Sequence, residues 1–452
     1  MTDTIELTVL DPRTGDVVTR LPVTGPSACD AAVEAAVRAG EGWARTAPAE
    51  RAAALTAAAA SVAAAADELA DLNERETGKP RADALGGVEA GAATLVQYAE
   101  LGPLHGGRVL QGNWAATDFM VPGPRGVVTV LTPWNDPVAA AAGLLGAALV
   151  TGNTVVHKPS ERCPRTGRRL AELLAAHLPE GVLQIVDGDV GARLADDDRV
   201  AVVAHVGSTA TGRQIAAACA RRGAKALLEN GGNDALIVDA GVDPRWAAEQ
   251  AALGAFANAG QICTSVERIY VVAPAADAFF VAELVTAARE WDNRIGPVVD
   301  GRQRDAVHGH VTDAVRSGAT VRTGGEPRPG PGTFYPPTVL TDCTPDMLVM
   351  REETFGPVAP VRVVPDFETA LAEACDDRYG LAATVLTADM THAQTAWRSL
   401  PVGTVKINAV FGGAPGGAAE PRRASGNGFG FGPELLDEMT CVKVVHWEPP
   451  DG

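Results

Sequence analysis

The sequence is short of cysteine and of positive charge, and each shortage closes off a class of chemistry. Its seven cysteines, Cys29, Cys163, Cys219, Cys263, Cys343, Cys375 and Cys441, never stand three apart, so no C-x-x-C element for zinc or thioredoxin-like exchange is present. An odd and sparse count argues against a disulfide framework and fits reduced thiols in a cytoplasmic protein. Lys and Arg total 38 against 56 Asp and Glu, a net charge of −18; that surface repels phosphate backbones, and nucleic acid is excluded as a partner. None of the eight histidines stands in a metal-ligand pattern, His308 and His310 read as exposed, and no metal is expected. The chain also has no arguable Ser-His-Asp set, no internal repeat and no G-x-G-x-x-G fingerprint.

Met1 to Leu10 carries Asp3 and Glu6 with no apolar block, which does not read as a signal peptide. The uncharged run from Pro137 to His157 is long enough to raise a membrane span. It is mostly Ala and Gly and holds the turn Thr151-Gly152-Asn153, so it reads as a buried helix and a short strand of a soluble protein. With 46% hydrophobic and 21% charged residues over 452 positions, the chain can bury a sizeable core. At roughly 150 residues per domain it holds about three units, or two large ones.

Two extended stretches in Thr8 to Leu21 are joined by Asp11-Pro12-Arg13-Thr14-Gly15, good turn chemistry. Ser27 to Ala39 and Ala49 to Thr77 read as Ala-rich helices, the second closed by Gly78 with Pro80 beyond. From Arg125 strands and helices alternate. Strands fall at Gly126–Leu131, Thr154–His157, Gly181–Val186 and Val200–Val206, with helices at Val138–Leu149, Arg165–His177 and Ala210–Arg221. That alternation predicts an α/β fold with a parallel sheet. A second cycle follows, with strands at Leu236–Val238 and Arg268–Val272, a helix at Pro244–Asn258 and a terminal strand at Cys441–Trp447; the hinge between the two units falls near residue 230.

Five places carry chemistry. Gly207-Ser208, between a strand and a helix, offers backbone N–H groups to a pyrophosphate, or is an ordinary Ser-capped turn. Lys158 and Glu161 follow a strand at its carboxyl end, where open α/β sheets bind ligands, and bracket ribose hydroxyls or form a solvated pair. Cys263 sits among Gly, Ser and Thr, a setting that admits a substrate and hydrogen bonds to a thiolate; the other six cysteines read as small buried hydrophobes. Glu229 precedes Asn230-Gly231-Gly232 where the first unit gives way to the second, a cleft position. Asn135 follows a buried strand and serves as an oxyanion donor or as a helix cap.

Taken in order, Thr132-Pro133-Trp134-Asn135, Lys158-Pro159-Ser160-Glu161, Gly207-Ser208-Thr209, Glu229-Asn230-Gly231-Gly232, Gly260-Gln261-Ile262-Cys263 and Glu352-Glu353-Thr354-Phe355-Gly356-Pro357 resemble the aldehyde dehydrogenase superfamily over nearly the whole chain. The resemblance implies two α/β domains, an atypical Rossmann-like cofactor domain (1–105 and 125–230) and a catalytic domain (231–424). It adds a small β oligomerisation flap (106–124 and 440–448), and hence a homodimer or homotetramer. It implies that Cys263 attacks an aldehyde, that the Asn135 amide and the Cys263 N–H hold the oxyanion, and that Glu229 activates the water that hydrolyses the thioester.

For the cofactor, the resemblance places Gly207 and Ser208 on the pyrophosphate, Lys158 on the adenosine ribose, and Glu353 on the nicotinamide ribose. Phe355, Trp134 and Thr132 belong to the same pocket. Glu161, a carboxylate near the 2′-position, favours NAD over NADP. Ile262, Thr264, Asp136 and Arg422 would belong to the substrate pocket. Asp136 stands where an aromatic is usual, either to meet a cationic aldehyde or as a helix-start acid; Arg422-Arg423 meets an acidic substrate or is a solvated loop pair. The acid usual after Ser425-Gly426 is missing, and the aldehyde itself is not named by these residues. Retained Glu229 argues against a CoA-acylating enzyme, and retained Cys263, Glu229 and Asn135 argue against a silent binding or structural member.

Overall fold

The computed structural model describes residues 6–273, 277–413 and 417–450. A hairpin of β1 (Glu6–Leu10) and β2 (Val17–Pro22) opens the chain, turned by Gly15 at φ +78°. Helices α1 (Pro26–Arg45), α2 (Pro48–Ala64), α3 (Ala66–Thr77) and α4 (Arg81–Leu101) follow. The single helix expected over Ala49–Thr77 is two, bent by 65°, because α2 and α3 each lie against α4 and α6 (Pro164–Ala175). Helix α3 ends at Gly78 in the left-handed conformation, as its sequence predicts. Among the described residues no single helix is long and apolar enough to cross a membrane.

Two strands, β3 (Arg108–Leu110) and β4 (Thr117–Pro124), lead to the first large sheet. It holds β5 (Val127–Leu131), β6 (Thr154–Lys158), β7 (Leu183–Ile185), β8 (Val200–Val206) and β9 (Lys225–Glu229), all parallel, in the order β9-β8-β5-β6-β7. Every residue of β5 is buried, as a strand covered on both faces requires. Helix α5 (Pro137–Val150) is apolar all round, and only Ala139 of its fourteen residues is not buried. The uncharged run is therefore core. Helices α7 (Gly191–Ala195) and α8 (Thr209–Arg222) complete this layer. The chain leaves β5 toward β6 and β7, then returns to the other side of β5 as β8, so the strand order reverses between β5 and β8. A crevice at the carboxyl ends of those strands is the usual ligand position.

The second sheet runs β12-β13-β14-β11-β10-β15-β16. Its members are β10 (Asp234–Val238), β11 (Val266–Val272), β12 (Thr320–Thr323), β13 (Thr338–Thr341), β14 (Val358–Val364), β15 (Ala382–Leu386) and β16 (Thr404–Ile407), all parallel except β12. Helices α9 (Pro244–Phe256), α10 (Asp277–Trp291), α11 (Gly301–Arg316), α12 (Leu348–Arg351), α13 (Phe367–Cys375) and α14 (Met390–Ser399) accompany it. The chain then returns to the first sheet. Strand β17 (Gly426–Asn427) pairs antiparallel with β9, and α15 (Glu434–Glu438) with the residue after it sends Leu435, Leu436 and Met439 into the core around α5. Strand β18 (Thr440–Trp447) pairs with β4, and β4 with β3. Val109, Val121, Val442, Val444 and Trp447 on that three-stranded sheet are exposed.

Candidate active site

A cavity of about 1890 Å³ runs between the two sheets. The first sheet presents the carboxyl ends of its strands to it. The second contributes the segments that precede β10, β11 and β14, the opposite ends of its strands.

On the first side, Thr132 and Trp134 leave β5, Lys158 ends β6, and Gly207-Ser208 leave β8; all line the cavity. Thr132 Oγ1 is 3.0 Å from His157 Nε2. Trp134 meets Phe355 edge to face, with centroids 5.4 Å apart, and the Arg162 guanidinium lies 5.1 Å over its ring. Lys158 Nζ donates to Glu161 Oε2 at 2.6 Å. Burial works against the Glu161 charge, but the Lys158 ammonium, helped by a backbone N–H and Arg162, offsets it and holds the carboxyl below its usual range. Ser208 caps α8 by accepting from Thr211 N.

On the second side, Cys263 is accessible at the cavity wall. Its loop follows α9, which ends two residues short of the predicted Asn258. Asn258, Ala259 and Gly260 are left-handed in succession, at φ +49°, +55° and +71°; non-glycine residues adopt this only when neighbours hold them there. The holding groups are buried Gln261, whose Nε2 donates to Asn258 O and whose Oε1 accepts from Val299 N, and Ser265, whose Oγ donates to Gly260 O. The thiol is hemmed in by protein, and burial pushes it up to about 12, with Glu229, Asp234 and Glu353 adding to the shift. Unpaired, the sulfur therefore carries its proton at neutral pH.

Glu229 ends β9 and lines the same cavity. Burial pushes it up to about 8, opposed by the N–H of Gly430. Asn135 Nδ2 donates to Gln261 O at 3.1 Å, which fixes the amide beside the Cys263 loop and leaves its second hydrogen for another acceptor. Glu353 Oε1 accepts from Gly232 N at 3.0 Å, and burial raises its carboxyl to about 7. A Cβ on Gly231 would stand 2.1 Å from Glu353 Oε2, so the Gly-Gly pair lets this acid approach.

Three residues unmarked in the sequence complete the site. Glu267, buried in β11 beside Arg268, accepts from Thr354 N and Phe355 N at 3.1 and 3.0 Å. A lone acid inside Val-Glu-Arg-Ile-Tyr-Val-Val was the available signal. Asp234 opens β10 and accepts from Ala382 N at 3.0 Å; burial pushes its carboxyl up. Lys406 Nζ donates to Val410 O at 2.7 Å and lies over the Phe411 ring, which lines the cavity.

Several expectations change. Asp136 lines the cavity, and Lys79 Nζ stands 3.3 Å from it, so the acid has a cation of this chain beside it. Ile262 lines the cavity with Cys263, but Thr264 and Arg422 do not. Arg422 is held by its own backbone, whose N–H donates to Gly380 O, and its side chain is exposed outside the cavity. His310 is not exposed: it is half-buried, lines the cavity, and its Nδ1 is 3.1 Å from Thr354 Oγ1; His308 is half-buried too. Of the six other cysteines, Cys29, Cys163, Cys219 and Cys343 are buried, Cys375 is partly so, and Cys441 is exposed because β18 turns one face to solvent. Among the described residues no three His, Cys, Asp or Glu side chains are placed to hold a metal.

Residues 2–445 match the family described as "Aldehyde dehydrogenase family". The betaine aldehyde dehydrogenase of Cereibacter sphaeroides is 36% identical over 97% of this chain and 93% of its own. The NADP(+) succinate-semialdehyde dehydrogenase of Escherichia coli is 35% identical over 88% and 86%. The solved structure of lactaldehyde dehydrogenase from Escherichia coli superposes with a TM-score of 0.95 at 32% identity, covering 99% of this chain and 97% of that one. The chain belongs to the aldehyde dehydrogenase family, NAD(P)-dependent oxidoreductases that act on aldehydes.

Proposed function

We propose that this chain oxidises an aldehyde to its carboxylic acid by a hydrolytic route, with NAD preferred over NADP. The observation that carries the reading is the placement of Cys263, Glu229 and Asn135 on one cavity with Lys158 and Ser208. The residues fit a dinucleotide: a Cβ at Gly207 or Gly231 would strike His205 or Glu353, so glycine keeps both turns open where the pyrophosphate and a ribose would pass. Lys158, Ser208 and the α8 N-terminus would hold the adenosine end; Glu353, Phe355 and Trp134 would hold the nicotinamide end. The bound nicotinamide supplies the two-electron acceptor.

Cys263 Sγ loses its proton to water in the cavity and bonds to the aldehyde carbon; the oxyanion accepts hydrogen bonds from the spare Asn135 N–H and the Cys263 N–H. Loss of two electrons and the aldehyde hydrogen leaves a thioester on Cys263. Glu229 takes a proton from water, whose oxygen bonds to the acyl carbon and releases the thiol and the acid. Glu229 at the cavity favours water over CoA as the acyl acceptor. Glu161, charged beside Lys158, supports NAD by accepting from a 2′-hydroxyl and repelling a 2′-phosphate.

Ala139, Ala140, Leu253, Phe411 and Phe431 line the cavity, and Asp136 stands beside Lys79, so uncharged aldehydes fit this lining better than acid or amine aldehydes. The exposed apolar edge of β18 supports a homodimer or homotetramer. The test is reduced-nicotinamide formation with NAD and aliphatic, aromatic, amino- and carboxy-aldehydes, wild type beside Cys263→Ala. Turnover lost in the variant supports the reading. NAD binding without turnover on any aldehyde overturns it in favour of a silent member.

A further inference from the structure

We propose that the imidazole of His205 is a binding group for the ADP half of the dinucleotide, an assignment that rests on the cofactor reading above. In the parallel ladder, Leu131 of β5 is in register with Lys158 of β6 on one side and with His205 of β8 on the other. The three side chains therefore share one face of the sheet at its carboxyl end. Lys158, Leu131 and His205 all line the cavity. His205 lies three residues before Ser208 and directly under the turn, where a Cβ on Gly207 would stand 2.7 Å from the ring.

The residue is only 7% exposed, and beyond the adjacent Ser208 backbone neither ring nitrogen has a well-formed hydrogen bond. Buried polar groups are nearly always paired, and one that is orphaned at a cavity wall marks where a ligand supplies the partner. His157 makes the contrast. It is fully buried away from the cavity, its Nε2 is matched to Thr132, and its unpaired Nδ1 lies where no ligand reaches. Burial, opposed by the Ser208 backbone and helped by Lys158 nearby, holds the His205 ring neutral down to about 4. At neutral pH it thus offers one donor and one acceptor, the pair needed to give a hydrogen to a phosphate oxygen and take one from a ribose hydroxyl.

The test is calorimetric titration of NAD, ADP-ribose and nicotinamide mononucleotide into wild type, His205→Phe and His205→Gln. The Phe variant fills the same space without a polar atom. It is expected to weaken NAD and ADP-ribose by about three- to tenfold, and to leave nicotinamide mononucleotide and the iodoacetamide reactivity of Cys263 unchanged. The Gln variant is expected to regain most of the loss. Should His205→Phe misfold, His205→Leu makes the same comparison. ADP-ribose affinity within about twofold of wild type, or equal weakening of nicotinamide mononucleotide, overturns the assignment. A wild type that binds no NAD overturns the cofactor reading beneath it.

Discussion

The N–H of Gly430 donates to Glu229 Oε1 at 2.9 Å, and a Cβ on that glycine would stand 2.3 Å from the same oxygen. The carboxylate is thus seated where any side chain at 430 would lie. Gly430→Ala must push Glu229 aside, and the expected result is a kcat about ten- to a hundredfold lower. NAD titration checks that the cofactor end is untouched, and a kcat equal to wild type refutes the seating argument.

Glu229 is raised to about 8, first by burial. Below that pH it is protonated and cannot accept from water, so the deacylation rate should climb about tenfold per unit between pH 6 and 7 and level off above 8. On the proposed mechanism Glu229→Gln removes the base but not the nucleophile. Stopped-flow absorbance should then show a single-turnover burst of reduced nicotinamide followed by almost no steady rate.

Glu267 grips the Thr354-Phe355 loop, proposed above to hold the nicotinamide end, through consecutive N–H groups of Thr354 and Phe355, while Gln303 Nε2 donates to both of their carbonyls. The grip holds Phe355 at φ +51°. In Glu267→Gln one acceptor becomes a donor facing an N–H. The KM for NAD should rise by about five- to tenfold, with cofactor-free iodoacetamide labelling of Cys263 unchanged; slowed labelling would mean the loss is general.

On the proposed cofactor reading, the pair Lys158–Glu161, 2.6 Å apart, is the group that discriminates NAD from NADP. Glu161→Gln removes the charge that repels a 2′-phosphate and frees the ammonium that attracts one. The ratio of kcat/KM for NADP over NAD should increase by about tenfold or more. A ratio that stays put places the discrimination elsewhere.

How much of this was legible in the residues depends on the range of the contact involved. The buried strand β5, helix α5 and the turn at Gly78 declare themselves because a β-branched run, a uniformly apolar helix and a terminal glycine act on their own neighbours. Helix α4 was hidden because Gly86, Gly87 and Gly91 weaken its signal, yet a Cβ at Gly91 would stand 3.0 Å from Val138 of α5. Close helix packing requires what local propensity penalises. Strand β9 was masked by its polar ends, Lys225 and Glu229, and gains its place by pairing with β8.

The sequence by itself determined the family, the order of the α/β units and the identity of the chemical groups, since those are carried by residue type and spacing. Only the tertiary structure decided which groups meet: Gly430 with Glu229 across 201 positions, Lys79 with Asp136, Glu267 with the Phe355 loop, and His205 with the cavity wall. The reason is that burial and pairing set the charge and aim of each group, and both are made by segments far apart in the chain.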